Sequence, residues 1–137
     1  MGDRTWVNIQ FMEKDLEKFN KVLINEIWGD DKVWWDDVEI SDGIVFAQLW
    51  DANYGWYEQI ETLANAGLTF DGGSGPGDNY SPEAFASYKG NYMSVITDYD
   101  GFPTVRVEDD GNISQSGLKN VRDYLDTLKL VQVEFGC

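Results

Sequence analysis

The residues best equipped for chemistry are carboxylates set among tryptophans. Trp28 to Gly43 reads WGDDKVWWDDVEISDG, three tryptophans and six acids answered by Lys32 alone. Paired acids can act on a glycosidic bond with aromatic rings as sugar platforms, and Trp34, Trp35, Asp36 and Asp37 have the types for it. Facing a partner's lysines and arginines, the same residues would instead make an acidic face with an aromatic anchor. The chain has no histidine, and its one cysteine is Cys137. Neither a Ser-His-Asp nor a Cys-His set can be assembled, nor a zinc site of the usual kind. With 25 acids in 137 residues some pair always looks suited to hydrolysis, so the expectation is a protein that is not an enzyme and needs no cofactor or metal.

Other stretches invite a ligand. Gly72 to Gly77, GGSGPG, lacks the Lys-Ser/Thr of a P-loop and the spacing of a dinucleotide loop. Its neighbours Asp71 and Asp78 would repel phosphate. Asp98-x-Asp100-Gly and Asp109-Asp110-Gly-Asn112 resemble fragments of calcium loops, but neither completes the EF-hand pattern. Asp-Gly turn chemistry accounts for both.

Charge is the outlier. The net charge is −15, where about 2–8 units suffice to keep a small domain soluble. Phosphate binding needs clustered Lys and Arg, so nucleic acid is excluded as a direct ligand, and an anionic membrane surface is disfavoured likewise. The acids cluster along the chain: seven between Asp30 and Asp51 against Lys32, and five between Asp98 and Asp110 against Arg106. Duplex DNA of a small domain's length presents on the order of ten phosphates on one side. If the segments carrying these two sets are neighbouring hairpins in a sheet, their carboxylates could share one edge and approach that number. Adaptation to high salt is disfavoured, because Lys outnumbers Arg seven to three.

These residues need a scaffold. Length and a 42% hydrophobic fraction suit one domain, residues 1–137. No apolar run of about 18 residues predicts a membrane span, and nothing at the N-terminus resembles a secretory signal, so a cytoplasmic protein is expected, monomeric or homodimeric. Thr5–Phe11 alternates as a strand. Met12, Leu16, Phe19, Leu23 and Ile27 stripe a helix over Glu13–Trp28. Asp37–Ile40 and Ile44–Trp50 form a hairpin about Ser41-Asp42-Gly43, and Trp56–Ala66 is a helix with Ile60, Leu63 and Ala64 inward. Phe70–Tyr80 reads as a loop, Ser81–Gly90 as a helix, Tyr92–Asp98 with Thr104–Glu108 as a second hairpin, Ser116–Leu128 as a helix and Leu130–Phe135 as a closing strand. The order β-α-β-β-α-α-β-β-α-β predicts an α+β fold, a single two-layer domain with a largely antiparallel sheet and helices packed on one face.

Val95 to Pro103, VITDYDGFP, resembles the strand-then-turn stretch of acidic antirestriction DNA mimics of the plasmid ArdA type. That resemblance implies a protein that occupies the DNA groove of a restriction enzyme and blocks it, with Asp98 and Asp100 at the matching positions.

The expected function is therefore a non-enzymatic acidic inhibitor of a basic nucleic-acid-binding protein or nuclease complex. A phage or mobile-element counter-defence protein of the antirestriction or anti-CRISPR type would fit, acting in a bacterial cytoplasm. The candidate contact residues are Asp30, Asp31, Trp35, Asp36, Asp37, Glu39 and Asp42, joined by Asp98, Asp100, Asp109 and Asp110. Trp34 and Trp35 must face opposite sides of a strand, so one can enter the core and the other is an exposed anchor unless a neighbouring element buries it too. The alternatives are an immunity protein neutralising a nuclease toxin, and a small carboxylate enzyme or carbohydrate-binding module.

Overall fold

The structure, a computed structural model, describes residues 4–29, 35–77 and 81–136. It is an α+β fold in which six antiparallel strands form one sheet: β1 (Arg4–Met12), β2 (Asp37–Ser41), β3 (Ile44–Asn53), β4 (Phe70–Ser74), β5 (Glu83–Tyr88) and β6 (Asn91–Ile96), in the spatial order β2-β3-β1-β4-β5-β6. The helices are α1 (Leu16–Val22), α2 (Tyr57–Asn65) and α3 (Gln115–Glu134). No helix among the described residues is long and apolar enough to cross a membrane.

The alternation of β1 divides the molecule. Val7, Ile9 and Phe11 are buried on one face, while Trp6, Asn8 and Gln10 lie on the other. Onto the first face folds α1, entered by the 3-10 turn Glu13–Asp15, prolonged by the π-helical turn Leu23–Trp28 and stopped at Gly29 in the left-handed region. Its stripe lands where the spacing predicts: Phe19 and Leu23 are fully buried, and Phe19 stacks on Phe11 with ring centroids 3.9 Å apart. Ile60, Leu63 and Ala64 of α2 complete this core. The first hairpin also forms as expected, with Asp42 and Gly43 both at positive φ, as a type I′ turn requires.

The predicted order holds through α2 and then changes. Phe70–Ser74 is not a loop but the central strand β4, paired to β1 and β5. Glycine there serves close packing: a Cβ on Gly72 would lie 2.1 Å from the Asn8 carbonyl oxygen and 2.9 Å from the Phe85 ring. The helix expected over Ser81–Gly90 is strand β5, because Phe85 and Ala86 are buried on opposite faces, a period of two. Leu130–Phe135 is not a strand; α3 runs on to Glu134. Tyr124, Leu128, Val131 and Phe135, at steps of four, three and four, keep one helical stripe on the sheet. Thr104–Glu108 forms no strand; single bridges, Thr97 to Pro103 and Val107 to Ile113, and isolated backbone hydrogen bonds such as Thr104 N–H to the Ile96 carbonyl hold it.

The expected packing of helices on one face holds for α1 and α2 alone. Helix α3, N-capped by Ser114, whose hydroxyl accepts from the Gly117 N–H at 3.2 Å, covers β5 and β6 on the opposite face. It leaves the β2, β3 and β1 part of that face without a helix.

Candidate functional site

Residues directly opposite one another in an antiparallel ladder share a face. The registers therefore join into two rungs spanning all six strands. One runs Asp37, Gln48, Asn8, Gly73, Ala84, Val95; the next runs Glu39, Phe46, Gln10, Asp71, Ala86, Met93. Helix α3 packs on the apolar ends, against Ala86 and Val95. The other ends stay uncovered and present acids, amides and the exposed Phe46.

Two depressions mark this open half-face and meet at Asn8 and Gln10. One, of about 470 Å³, lies over β2, β3 and β1 between Asp37, Glu39, Phe46 and Gln48. The second, a cavity of about 280 Å³, is sunk between β1, β4 and α3, with Asp71, Trp6, Tyr124 and Leu128 in its walls and Asp98 and Tyr99 at its mouth. Among the described residues no lysine or arginine lines either depression. The Asn8 side-chain oxygen accepts from the Gly73 N–H at 3.1 Å, tying β1 to β4 across the cavity floor. Gly75 lets the chain pass beside Trp6, since a Cβ there would come within 2.4 Å of the indole nitrogen.

Asp71 is the electrostatic centre of the cavity. Partial burial pushes its carboxyl up to about 6. Among the described residues its carboxylate has no hydrogen-bond or ion-pair partner. The Tyr124 hydroxyl is raised by burial and then by the Asp71 charge, which places the two groups near one another. Burial also raises Glu83. Tyr92, on the opposite face, is pushed up to about 12 by burial and then by Glu83.

The residues proposed from sequence separate into groups. Asp30 and Asp31 lie outside the described residues, as do Trp34, Asp78 and Cys137. Trp35 is not the exposed anchor. Its ring meets Trp28 and Trp56 with centroids 5.6 and 5.4 Å apart, and it packs against the first core. Among the described residues the exposed indoles are Trp50 and Trp6. Trp50 is held beside the acids: its backbone N–H donates to Asp36 at 2.8 Å and its indole N–H to Asp37. Glu39 is exposed on the same face as Asp37, and Asp42 sits in the turn.

Only Asp98 of the second acidic set reaches this face, at the cavity mouth. Strands β2 and β6 are the two edges of the sheet, roughly 24 Å apart at the usual inter-strand spacing. At about 0.1 M salt the screening length is about 10 Å, so acids at the two edges cannot act as one patch. Asp98 and Asp110 have structural roles in their turns. Asp98 accepts from the Asp100 and Phe102 N–H groups at 2.9 Å each, and Asp110 accepts from the Asn112 N–H at 2.9 Å. Asp100 and Asp109 are exposed beside them. Among the described residues no three acids converge as a metal site.

The four ion pairs among the described residues are Arg4–Asp51, Lys14–Glu134, Arg106–Glu108 and Lys119–Asp123. None uses Asp36, Asp37, Glu39, Asp71 or Asp98, so among the described residues the acids of the open face and its rim have no cation paired with them. The chain matches no family model, no curated protein and no solved structure.

Proposed function

We propose that this chain is a non-enzymatic acidic inhibitor that docks a basic nucleic-acid-handling protein on the open half-face of its sheet. Asp37, Glu39 and Asp71 supply charge there, Asn8, Gln10 and Gln48 supply hydrogen bonds, and Phe46, Trp50 and Trp6 supply aromatic surface. The observation that carries the reading is the pairing of a net charge of −15 with a sheet face that, among the described residues, no helix covers and no lysine or arginine lines. Carboxylates on that face take the place of phosphates against the partner's lysines and arginines, so binding excludes nucleic acid from the same cations. Three acids on the face fall well short of the on the order of ten needed to match one side of a duplex. The contact is thus with one basic segment, not along a length of groove. The resemblance of Val95–Pro103 to antirestriction proteins supports a counter-defence setting, with Tyr99 at the cavity mouth.

Two double reversals test the placement at constant net charge, since two acids changed to lysine take −15 to −11 in either case. Protein carrying Asp37→Lys and Glu39→Lys is expected to lose the captured partner by more than about tenfold, as when charges facing a partner are reversed. Protein carrying Asp109→Lys and Asp110→Lys is expected to change binding by no more than about threefold, through long-range steering alone. Quantitative pull-down at two salt concentrations, with duplex DNA as competitor, measures both. Equal losses in the two variants would remove the face from the reading.

A further inference from the structure

The cavity beside the open face has features that a flat docking surface does not need. It is walled on three sides by β1, β4 and α3, and Gly73 on its floor contributes no side chain. Its volume of about 280 Å³ lies just under the roughly 300–1,000 Å³ in which whole small ligands are usually held. That size suits one long side chain. Inside it a carboxylate without partner among the described residues faces the rings of Trp6 and Tyr124. Burying an unpaired carboxylate is unfavourable unless a cation arrives to meet it.

We propose that this cavity is a socket for one arginine of the docked partner, its guanidinium paired with the Asp71 carboxylate and laid against Trp6 or Tyr124. The proposal rests on the docking reading above and names the anchor within it. Arginine fits better than lysine because a planar guanidinium stacks on aromatic faces and offers five donors in a fixed fork. Beside Asp71, the Gln10 amide can accept a further one of them, since the two are opposite in the ladder. The groups facing Asp71 are Gln10 on β1, Ala86 on β5 and Tyr124 on α3, with Asp98 and Tyr99 from the loop. None carries a positive charge.

Fluorescence-labelled oligoarginine and oligolysine peptides of equal length, titrated into wild-type and Asp71→Asn protein at fixed ionic strength, test the socket. The wild-type protein is expected to prefer the arginine peptide by about tenfold, as one well-made charge-assisted contact gives. In Asp71→Asn that preference falls to within about twofold, while oligolysine affinity changes no more than about twofold, as for loss of one screened charge. A preference that persists in Asp71→Asn, or that is missing from the wild type, overturns the socket and leaves the docking face standing. If neither peptide binds, the docking reading fails first and the socket with it.

Discussion

Asp71→Asn is expected to stabilise the folded protein at neutral pH by about 2 kcal/mol, a rise in Tm of roughly 6–10 °C for a domain of this size. The cause is the partly buried carboxyl, pushed up from 3.8 to about 6. The folded state holds this proton more tightly than the unfolded chain does. Wild-type stability therefore falls as pH rises through that window, once the charge must be carried without a partner. A shift of this size corresponds to roughly 3 kcal/mol, and solvent at the cavity mouth reduces what folding registers. Below pH 3.8 both states are protonated and the advantage of Asp71→Asn is expected to vanish. Urea denaturation of both proteins at pH 3.5 and pH 7.5 gives the difference directly. An equal gain at both pH values would mean that the substitution acts through packing and not through charge. A residue whose removal improves folding is spending stability on something else, as functional groups often do.

Gly72→Ala has the opposite sign and the larger size: a loss of at least about 3 kcal/mol, a large share of the roughly 5–15 kcal/mol that keeps a domain folded. The added methyl would overlap the backbone carbonyl of Asn8, which cannot rotate away. Gly73→Ala, whose methyl would meet the Glu83 carbonyl at 3.0 Å, is expected to lose about 1 kcal/mol. Chemical denaturation of the pair checks the ordering, and similar midpoints would contradict the placement of β4 between β1 and β5.

That same segment explains where sequence reasoning reached its limit. In Phe70–Gly77 the glycines erase both periodicities, so the stretch reads as a loop. Gly72 is there because the neighbouring strand and Phe85 leave no room for a side chain, and such a constraint is visible only once the strands are aligned. The helix stripe Leu16, Phe19, Leu23 and the Asp42-Gly43 turn were legible because each is decided locally, by spacing or by backbone conformation. Glu83–Tyr88 was misread because Ser81-Pro82-Glu83 mimics a helix start, and burial of Phe85 and Ala86 on opposite faces overrode that signal. Alternating β-branched residues in Leu130–Glu134 suggested a strand, although Val131 continues the stripe of Tyr124 and Leu128.

The candidate site followed the same division. Asp37 and Glu39 were legible as acids on one side of a strand, and Trp50 lay in the next strand of the same hairpin. Asp71 was read only as an obstacle to phosphate. Its importance comes from Gln10 opposite and Tyr124 above, residues far away in the chain. Adjacent acids in sequence suggested that the two acidic segments share an edge, whereas strand order puts four strands between β2 and β6. Trp35 looked like an anchor because its neighbours are charged, yet two other tryptophans enclose it.

The most direct test of the docking face is a map of where a cation-rich ligand touches the protein. Backbone amide shifts followed by NMR during titration with an oligoarginine peptide are predicted to move, and to saturate together, at Asn8, Gln10, Asp37, Glu39, Phe46, Gln48 and Asp71. Shifts spread equally over the Asp109–Gly111 turn and the acids on the outer side of α3 would show that the peptide follows bulk charge alone, and the account of a built docking face would be wrong.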